Sequence, residues 1–315
     1  MKIKFTKYIL TIQLIICCFA FEVAAFNDSE AGTYLWKLIN EARSRPAKII
    51  EAYGINYERA RLALGQDEWI LELENGLPPL AWNGTLSESA SLHNSDMINR
   101  QYYSYTSPEG VSFNDRISNS GYNPLLTGES LGILSFYIYI DPVKAVEGIF
   151  ENMLRDELNP DLNYARNIFN KDFTEIGISF ISTAFSLGKD STLNAYLVTA
   201  DFAKPAEMRS YTFGNIYSID ENKPQITEKM YVEKLLSYKG WAPEKANNNY
   251  VLRVNNFTEG WSFEVPHGPL GFYQIQIPAN TFYSIEIYDN RQETLLKRIV
   301  NIGINVNKMV DFQIN

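Results

Sequence analysis

Residues 85–99 read Thr-Leu-Ser-Glu-Ser-Ala-Ser-Leu-His-Asn-Ser-Asp-Met-Ile-Asn, and their apolar pattern indicates how the first half of the chain folds. Leu86, Ala90, His93 and Met97 follow one another at spacings of three or four residues. That spacing places all four on one face of an α-helix. His93 is therefore expected on the side of this helix that packs against the fold.

Helical periodicity also surrounds this segment. Apolar residues recur at helical spacing from about residue 31 to 70, and Pro46 is placed to begin a second helix. Another helix is predicted over about Pro142–Glu157. Alternating apolar residues predict two strands, around Ile176–Phe180 and Tyr196–Ala200, which close this half.

The pattern changes after Pro205 to short alternating runs separated by turn residues, which is typical of a small all-β sandwich. The predicted strands are Tyr250–Val254, Trp261–Val265, Phe272–Ile277, Tyr283–Tyr288, Leu296–Ile302 and Met309–Ile314. We predict a first domain over residues 31–205 and a β-sandwich domain over 209–315. The polar join at 203–207 contains a proline, so we expect the first domain to fold alone.

Composition excludes several classes of protein. The chain has 315 residues, 45% of them hydrophobic, and a formal net charge of −9. Global disorder, collagen and coiled coil do not fit those values. An acidic chain also lacks the basic face that binding to nucleic-acid phosphates requires.

The first 25 residues have the pattern of a secretory signal peptide. Three lysines precede an apolar run over Tyr8–Phe21, and Val23-Ala24-Ala25 provides a small-residue cleavage site. The run is too short for a membrane span, which needs about 20 residues. We expect cleavage near Ala25, a secreted or periplasmic mature protein, and no transmembrane segment in it. Both cysteines, Cys17 and Cys18, would leave with the signal, so no mature disulfide is possible.

Six motifs of the first half, taken in order, resemble those of the CAP superfamily, and most closely its bacterial branch of SCP-like extracellular proteins. The matching residues are Asn40 to Arg43, Leu80 to Asn83, Ala90 to Met97, Tyr103 to Gly110, Gly128 to Gly132, and Arg166 to Gly177. The resemblance implies an α+β fold, a three-layer α/β/α sandwich with a central antiparallel sheet. More weakly, the second half resembles carboxypeptidase-regulatory or transthyretin-like β domains.

The resemblance also implies a cleft with two histidines and two acidic residues, but both histidines are replaced here. Their positions carry Tyr105 and Tyr164, and the acidic positions carry Glu129 and Asn152, with Glu151 beside Asn152. Tyrosine has a pKa near 10 and is a poor metal ligand at neutral pH. No zinc site is therefore expected, and we predict that the two tyrosines converge near Glu129.

Two readings stay open for the ionisable residues of this cleft. His93 is either a buried, hydrogen-bonded core residue or a cleft residue that reaches Glu129. Glu129, which its flanking glycines place on a loop, either pins that loop or serves as a ligand or base. Asp115 and Arg116 are interpreted as a structural ion pair or loop clamp.

A second group of oxygen-bearing side chains gives a weak calcium hypothesis. Asp156, Asn159, Asp161 and Asn163 alternate in a way that suits a hard cation, although the glycine and distal glutamate of an EF-hand loop are missing. The other reading is a solvated helix end.

These observations lead to three functional hypotheses. The first is a non-catalytic binding or envelope-interaction module, with a protein, glycan or lipid ligand outside the cytoplasm. The second is a secreted hydrolase of peptides or cell-wall material that uses Glu129 and His93. The third is a carrier of a lipid or another small apolar ligand, because aromatic residues make up 14% of the chain.

Overall fold

The computed structural model of the chain describes residues 27–65, 76–186, 192–207, 211–218, 250–265, 272–277, 280–289, 294–302, 307–310 and 312–314. The predicted signal peptide therefore lies outside the described residues, and so does the second histidine of the mature chain, His267.

Helices form where the periodicity predicts them. Asn27 begins the first with a capping box, in which its side chain accepts from the Glu30 amide and the Glu30 carboxylate accepts from the Asn27 amide. The helices are α1 (Asp28–Ser44), α2 (Pro46–Ala52), α3 (Tyr57–Leu64), α4 (Gly84–Arg100), α5 (Phe113–Asn119) and α6 (Pro142–Glu157). The sequence did not predict α5.

Four strands form the sheet of the first half, in the spatial order β1-β3-β4-β2. They are β1 (Ala81–Trp82), β2 (Pro124–Phe136), β3 (Glu175–Phe185) and β4 (Leu193–Pro205). Strands β3 and β4 confirm the prediction, whereas β2 was missed. Glu129 lies within β2, so its placement on a loop was wrong. The sheet is antiparallel except for the short parallel pair β1–β3.

The sheet lies between two helical layers, which confirms the α+β fold class. Helices α1 and α6 pack on one face and enclose the main core, whose members include Trp36, Ile149, Phe150, Ile178 and Phe202. Helix α4 packs against β3 and β4 on the other face.

Glycines allow both layers to approach the sheet closely. A Cβ atom at Gly177 of β3 would lie 2.1 Å from the Ser87 amide nitrogen of α4. A Cβ atom at Gly132 of β2 would lie 2.5 Å from Cγ2 of Ile149 in α6. A side chain at either position would push its helix off the sheet, so the glycines set the spacing of the layers.

The second half forms separate sheets around its own core. An antiparallel sheet has the order β10-β9-β6-β7, and β5 pairs with β8, β11 and β12. The strands are β5 (Tyr211–Ser218), β6 (Tyr250–Asn256), β7 (Trp261–Val265), β8 (Phe272–Gln276), β9 (Phe282–Asp289), β10 (Thr294–Ile302), β11 (Lys308–Met309) and β12 (Phe312–Ile314). Five of the predicted strands are confirmed, and the sixth, Met309–Ile314, falls on the two short strands β11 and β12. Strand β5 was missed, and the sandwich arrangement and the likeness to transthyretin-like domains stay predictions.

The two halves are in contact at the β1 edge of the first sheet. The Phe272 ring meets the buried Trp36 ring edge-on, with 4.8 Å between centroids. The Gln274 side-chain amide accepts from the Trp82 amide and donates to the Trp82 carbonyl, both at 2.7 Å. One glutamine thus pairs with the edge strand as a neighbouring strand would. The proposed domain limits stay a prediction.

Replacing Phe272 tests this contact. Phe272→Ala should lower the free energy of unfolding by about 1–3 kcal/mol, because it uncovers Trp36 and removes a half-buried aromatic ring. Phe257→Ala, at a half-exposed ring of the same half, is the matched control and should cost much less. Urea denaturation of both variants measures the difference. Equal effects would show that the Trp36 contact contributes nothing.

Candidate functional site

Glu129 lies at the centre of a buried polar cluster. Arg116 of α5 donates through Nη2 to both carboxylate oxygens of Glu129, at 2.8 and 2.6 Å. The Glu129 side chain exposes no surface, and that of Arg116 is 13% exposed. Through Nη1, Arg116 also donates to the Tyr105 and Val111 carbonyls, both at 3.1 Å. One guanidinium thus joins β2, α5 and the loop between α4 and α5.

Of the two alternatives for Asp115 and Arg116, the loop clamp is the one that fits: Arg116 holds its loop and forms its ion pair with Glu129, not with Asp115. Asp115 instead belongs to the capping box that begins α5: its carboxylate accepts from the Ser112 amide and hydroxyl at 3.0 and 2.7 Å. The cap fixes the start of a short helix, and that start directs Arg116 toward the sheet.

His93 lies beside this ion pair without joining it. Its Nε2 atom is 3.0 Å from the Ser104 carbonyl and 3.9 Å from Glu129 Oε1, which is beyond hydrogen-bond distance. Because a carbonyl can only accept, Nε2 carries the proton and Nδ1 is a bare acceptor, which has no partner. Burial, followed by the nearby Arg116 charge, lowers the His93 pKa to about 4. At neutral pH, His93 is an uncharged core residue that also adjoins Glu129.

Asp201 of β4 completes the cluster, and the sequence analysis missed it. It is the cross-strand partner of Glu129 in the β2–β4 pairing and is fully buried. Neither carboxyl oxygen meets hydrogen-bond geometry, and the buried Ser89 hydroxyl nearby is also unpartnered. Burial, and then the Glu129 charge, raise the Asp201 pKa well above its ordinary value of 3.8. Its position within the apolar pattern of a predicted strand is the sequence feature that could have identified Asp201.

One negative charge between two carboxyls fits the cluster best. Burial raises the Glu129 pKa and Arg116 opposes that rise, whereas Asp201 has no direct cationic partner. Two buried carboxylates on neighbouring strands repel each other, so the pair retains a proton. We place that proton on Asp201, which leaves Arg116 and Glu129 as a neutral ion pair.

Tyrosines line the surface next to the cluster. Tyr105 is 46% exposed and Tyr164 is 54% exposed. Burial is the main cause that raises the Tyr105 pKa, and the Glu129 and Tyr164 charges raise it further. Tyr103 was not among the predicted site residues. Burial raises its pKa, and the charges of Tyr105, Asp156 and Glu129 raise it further. The convergence of Tyr105 and Tyr164 near Glu129 stays a prediction.

The two acidic-position candidates on α6 face different ways. Glu151 pairs with Arg155 at 2.9 Å, and Arg155 also donates to the Tyr53 carbonyl at the end of α2. The Glu151 carboxylate is therefore engaged next to α2, and it does not join the Arg116–Glu129 pair. Asn152 is exposed and lies one helical turn before Asp156, which acts on Tyr103.

Arginines organise the segment proposed to bind calcium. Arg59 pairs with Asp161, and Arg166 donates to the carbonyls of Asn159, Leu162 and Tyr164. Within the described ranges, no group of three or more histidine, cysteine, aspartate or glutamate side chains is placed to hold a metal ion. Calcium binding by Asp156, Asn159, Asp161 and Asn163 stays a prediction. In this segment, the side chains of Arg59 and Arg166 already bond some of the oxygen atoms.

Comparison with known proteins identifies the family. A model of the CAP, or cysteine-rich secretory protein, family matches residues 36–202, more than half of the chain. The chain belongs to the CAP family. The match covers the sheet β1–β4 and the Arg116–Glu129 cluster, so these features lie in the CAP domain.

Individual relatives are distant. The chain is 25% identical over 174 residues to the uncharacterized membrane protein YlbC of Bacillus subtilis and spans 46% of that protein's length. Among solved structures, an SCP-domain extracellular protein of Bacillus anthracis is 19% identical, with a TM-score of 0.32, over 56% of this chain and 41% of that one. An outer surface protein of Borrelia burgdorferi is 16% identical, with a TM-score of 0.35, over 57% and 96%. No helix in the described part of this CAP protein is long and apolar enough to cross a membrane.

Removing Arg116 should destabilise the protein strongly. Arg116→Ala leaves the Glu129 carboxylate buried without its counter-charge, and breaking a buried pair in this way costs about 3–5 kcal/mol. Arg100→Ala is the control, because its pairs with Asp96 and Glu109 lie at the surface, and it should change stability little. Chemical denaturation at pH 7 measures both. Similar losses would mean that the Glu129 cluster is hydrated.

Asp201→Asn should alter how stability depends on pH. The folded wild type keeps a proton on Asp201, whereas the unfolded chain releases it above about pH 4. The free energy of unfolding of the wild type therefore falls by about 1.4 kcal/mol per pH unit, until the folded carboxyl also ionises. Asparagine mimics the protonated carboxyl and cannot ionise. The variant should therefore gain stability relative to wild type as pH rises.

Thermal denaturation of both proteins between pH 4 and 8 measures this difference. If the variant instead becomes less stable relative to the wild type as the pH rises, Asp201 is ionised in the folded state.

Proposed function

We propose that this CAP protein is a non-catalytic binding module that acts outside the cytoplasm. The observation that carries the proposal is the state of Glu129, whose carboxylate is buried and neutralised by Arg116. The lysines and apolar run of the first 25 residues support export.

The two residues that the hydrolase hypothesis names, Glu129 and His93, have no exposed side-chain surface. A general base must come within about 3 Å of the proton that it removes. Both Glu129 oxygens already accept from Arg116, and the His93 Nε2 proton is directed to the Ser104 carbonyl. The free Nδ1 lone pair of His93 lies on a side chain with no exposed surface. These groups support the packing of the fold and leave none available to a substrate.

The exposed tyrosines are the surface best suited to a ligand. Tyr105 and Tyr164 offer large rings with hydroxyls at their tips, and tyrosine binds with little loss of conformational entropy. Asp156, exposed next to Tyr103, adds a carboxylate. Hydroxyls and a carboxylate favour a polar ligand, such as an envelope glycan or its peptide stems, over the small apolar ligand of a carrier.

Co-sedimentation with isolated peptidoglycan tests this proposal. We expect binding without release of soluble fragments, and the double variant Tyr105→Ala/Tyr164→Ala should bind about tenfold more weakly or worse. Tyr137→Ala removes an 83% exposed tyrosine elsewhere and should bind like the wild type.

Two results would contradict the proposal. Fragment release by the wild type, lost in a Glu129→Gln variant that still unfolds cooperatively, would establish a hydrolase. Unchanged binding by the double tyrosine variant would exclude this surface as the ligand site.

A further inference from the structure

A cavity of about 310 Å³ lies between the α2–α3 turn and the end of α6, and it opens to solvent. Two apolar and four polar side chains contribute to its lining, and they are Ile55, Leu158, Asn56, Arg59, Arg155 and Asn159. None of the described residues that line this cavity is acidic, so both of its fixed charges are positive. On a chain with a net charge of −9, such a place stands out.

Both arginines keep hydrogen-bond donors for a ligand. Arg59 pairs with Asp161, and the two side chains are 54% and 74% exposed. Arg155 donates from Nε to Glu151 at 3.0 Å and from Nη2 to the Tyr53 carbonyl at 2.7 Å. A guanidinium has five N–H donors, so neither arginine is saturated by these partners. Ion pairs this exposed are weak, so a bound anion can compete with their carboxylates.

The two asparagines of the lining can donate as well. The side-chain oxygen of Asn56, the N-cap of α3, accepts from the Arg59 amide at 2.9 Å. The Asn159 side-chain oxygen accepts in the same way from the Asp161 amide at 3.0 Å. Each oxygen is thus used within its own turn, which leaves the amide NH₂ group to bond a ligand. Guanidinium and amide donors together suit an anion.

We propose that this cavity binds the free carboxylate at the end of a peptide. The planar fork of a guanidinium matches the two oxygens of a carboxylate, and Arg59 and Arg155 approach that carboxylate from α3 and α6. Ile55 and the buried Leu158 provide an apolar wall for a small side chain next to it. An inorganic phosphate shares the negative charge but has no apolar neighbour that would use this wall.

This site is separate from the tyrosine surface of the proposed function. The lining of the cavity includes neither Tyr105 nor Tyr164. A peptide carboxylate therefore binds here whether or not those tyrosines hold a ligand, and the two sites can be tested separately.

Titration of the full chain with N-acetyl-alanyl-alanine, followed by NMR, tests the proposal. We expect chemical-shift changes concentrated in residues 54–59 and 155–159, and binding that weakens at high salt because charges carry it. The matched probe is the C-terminal amide of the same dipeptide, which lacks the charge and should not bind. Inorganic phosphate is the second comparison and should bind more weakly than the dipeptide acid.

Substitutions should change the affinity in opposite directions. Arg59→Gln and Arg155→Gln should each weaken binding of the dipeptide acid about tenfold, because each removes charge-assisted hydrogen bonds. Asp161→Asn should instead strengthen binding severalfold, because it removes the carboxylate that competes for Arg59. Arg253→Gln is the matched control, since Arg253 is also exposed and paired with one carboxylate, that of Glu264, but does not line the cavity.

Three results would overturn the proposal. The first is a dipeptide acid that does not bind or binds no better than its amide, and the second is unchanged binding in both cavity arginine variants. The third is tighter binding of phosphate, which would assign the cavity to a phosphate group instead. Damage to the fold would weaken binding in every cavity variant, so a gain in Asp161→Asn beside a loss in Arg59→Gln can come only from contact with the ligand.

Discussion

The ion pair between Arg116 and Glu129 is the interaction on which the arrangement of the CAP domain depends. Arg116 bonds both carboxylate oxygens and two carbonyls of the loop after α4, so one side chain holds α5, β2 and that loop together. His93 bonds the same loop at the Ser104 carbonyl. Burying two charges is costly, and four hydrogen bonds from the two Nη atoms offset part of that cost, whereas the buried Nε of Arg116 has no partner.

The pair is buried because α4 packs closely on the sheet beside it. Gly177 lets α4 lie directly on β3, and a polar seam then forms between that helix and the sheet. In the seam, Asn94 donates to the carbonyl and the hydroxyl of Ser179, and Thr199 donates to the Asn94 side-chain oxygen. In such a buried seam, a polar group is most stable when it has a hydrogen-bond partner or stays neutral. Asp201 lies across from Glu129 and has no cationic partner of its own, so the two carboxyls keep a proton between them.

Much of the fold follows from periodicity, whereas the site depends on side-chain partners that periodicity does not encode. Helix α6 begins and ends at the predicted residues, because an apolar stripe follows a proline at its first position. Strand β2 was missed because Gly128 and Gly132 are usually breakers. Here they stand where a side chain would collide with Asn167 or Ile149.

The same limit applies to the charges of the site. The sequence identified Glu129 and His93 but not their partners, because Arg116 and Asp201 reach Glu129 only through the pairing of distant elements. Neighbouring charges in the sequence were misleading as well. Asp115 lies next to Arg116 but caps α5, and Glu151 lies next to Asn152 but pairs with Arg155 on another side of α6. The partner of each charged side chain depends on where its helix starts and on which helix face packs against the sheet. Patterns in a single sequence do not determine either of these.

The central claim is that the acid and base groups of this CAP domain are structural and closed to solvent. Histidine NMR measures it most directly, because the chain has only two histidines and a His93→Gln variant assigns the signals. We expect His93 to stay neutral, with its proton on Nε2, until the pH approaches its pKa of about 4. A His93 ring that titrates near pH 6.5, as an exposed imidazole does, would contradict it, because such a ring would be available for acid–base chemistry.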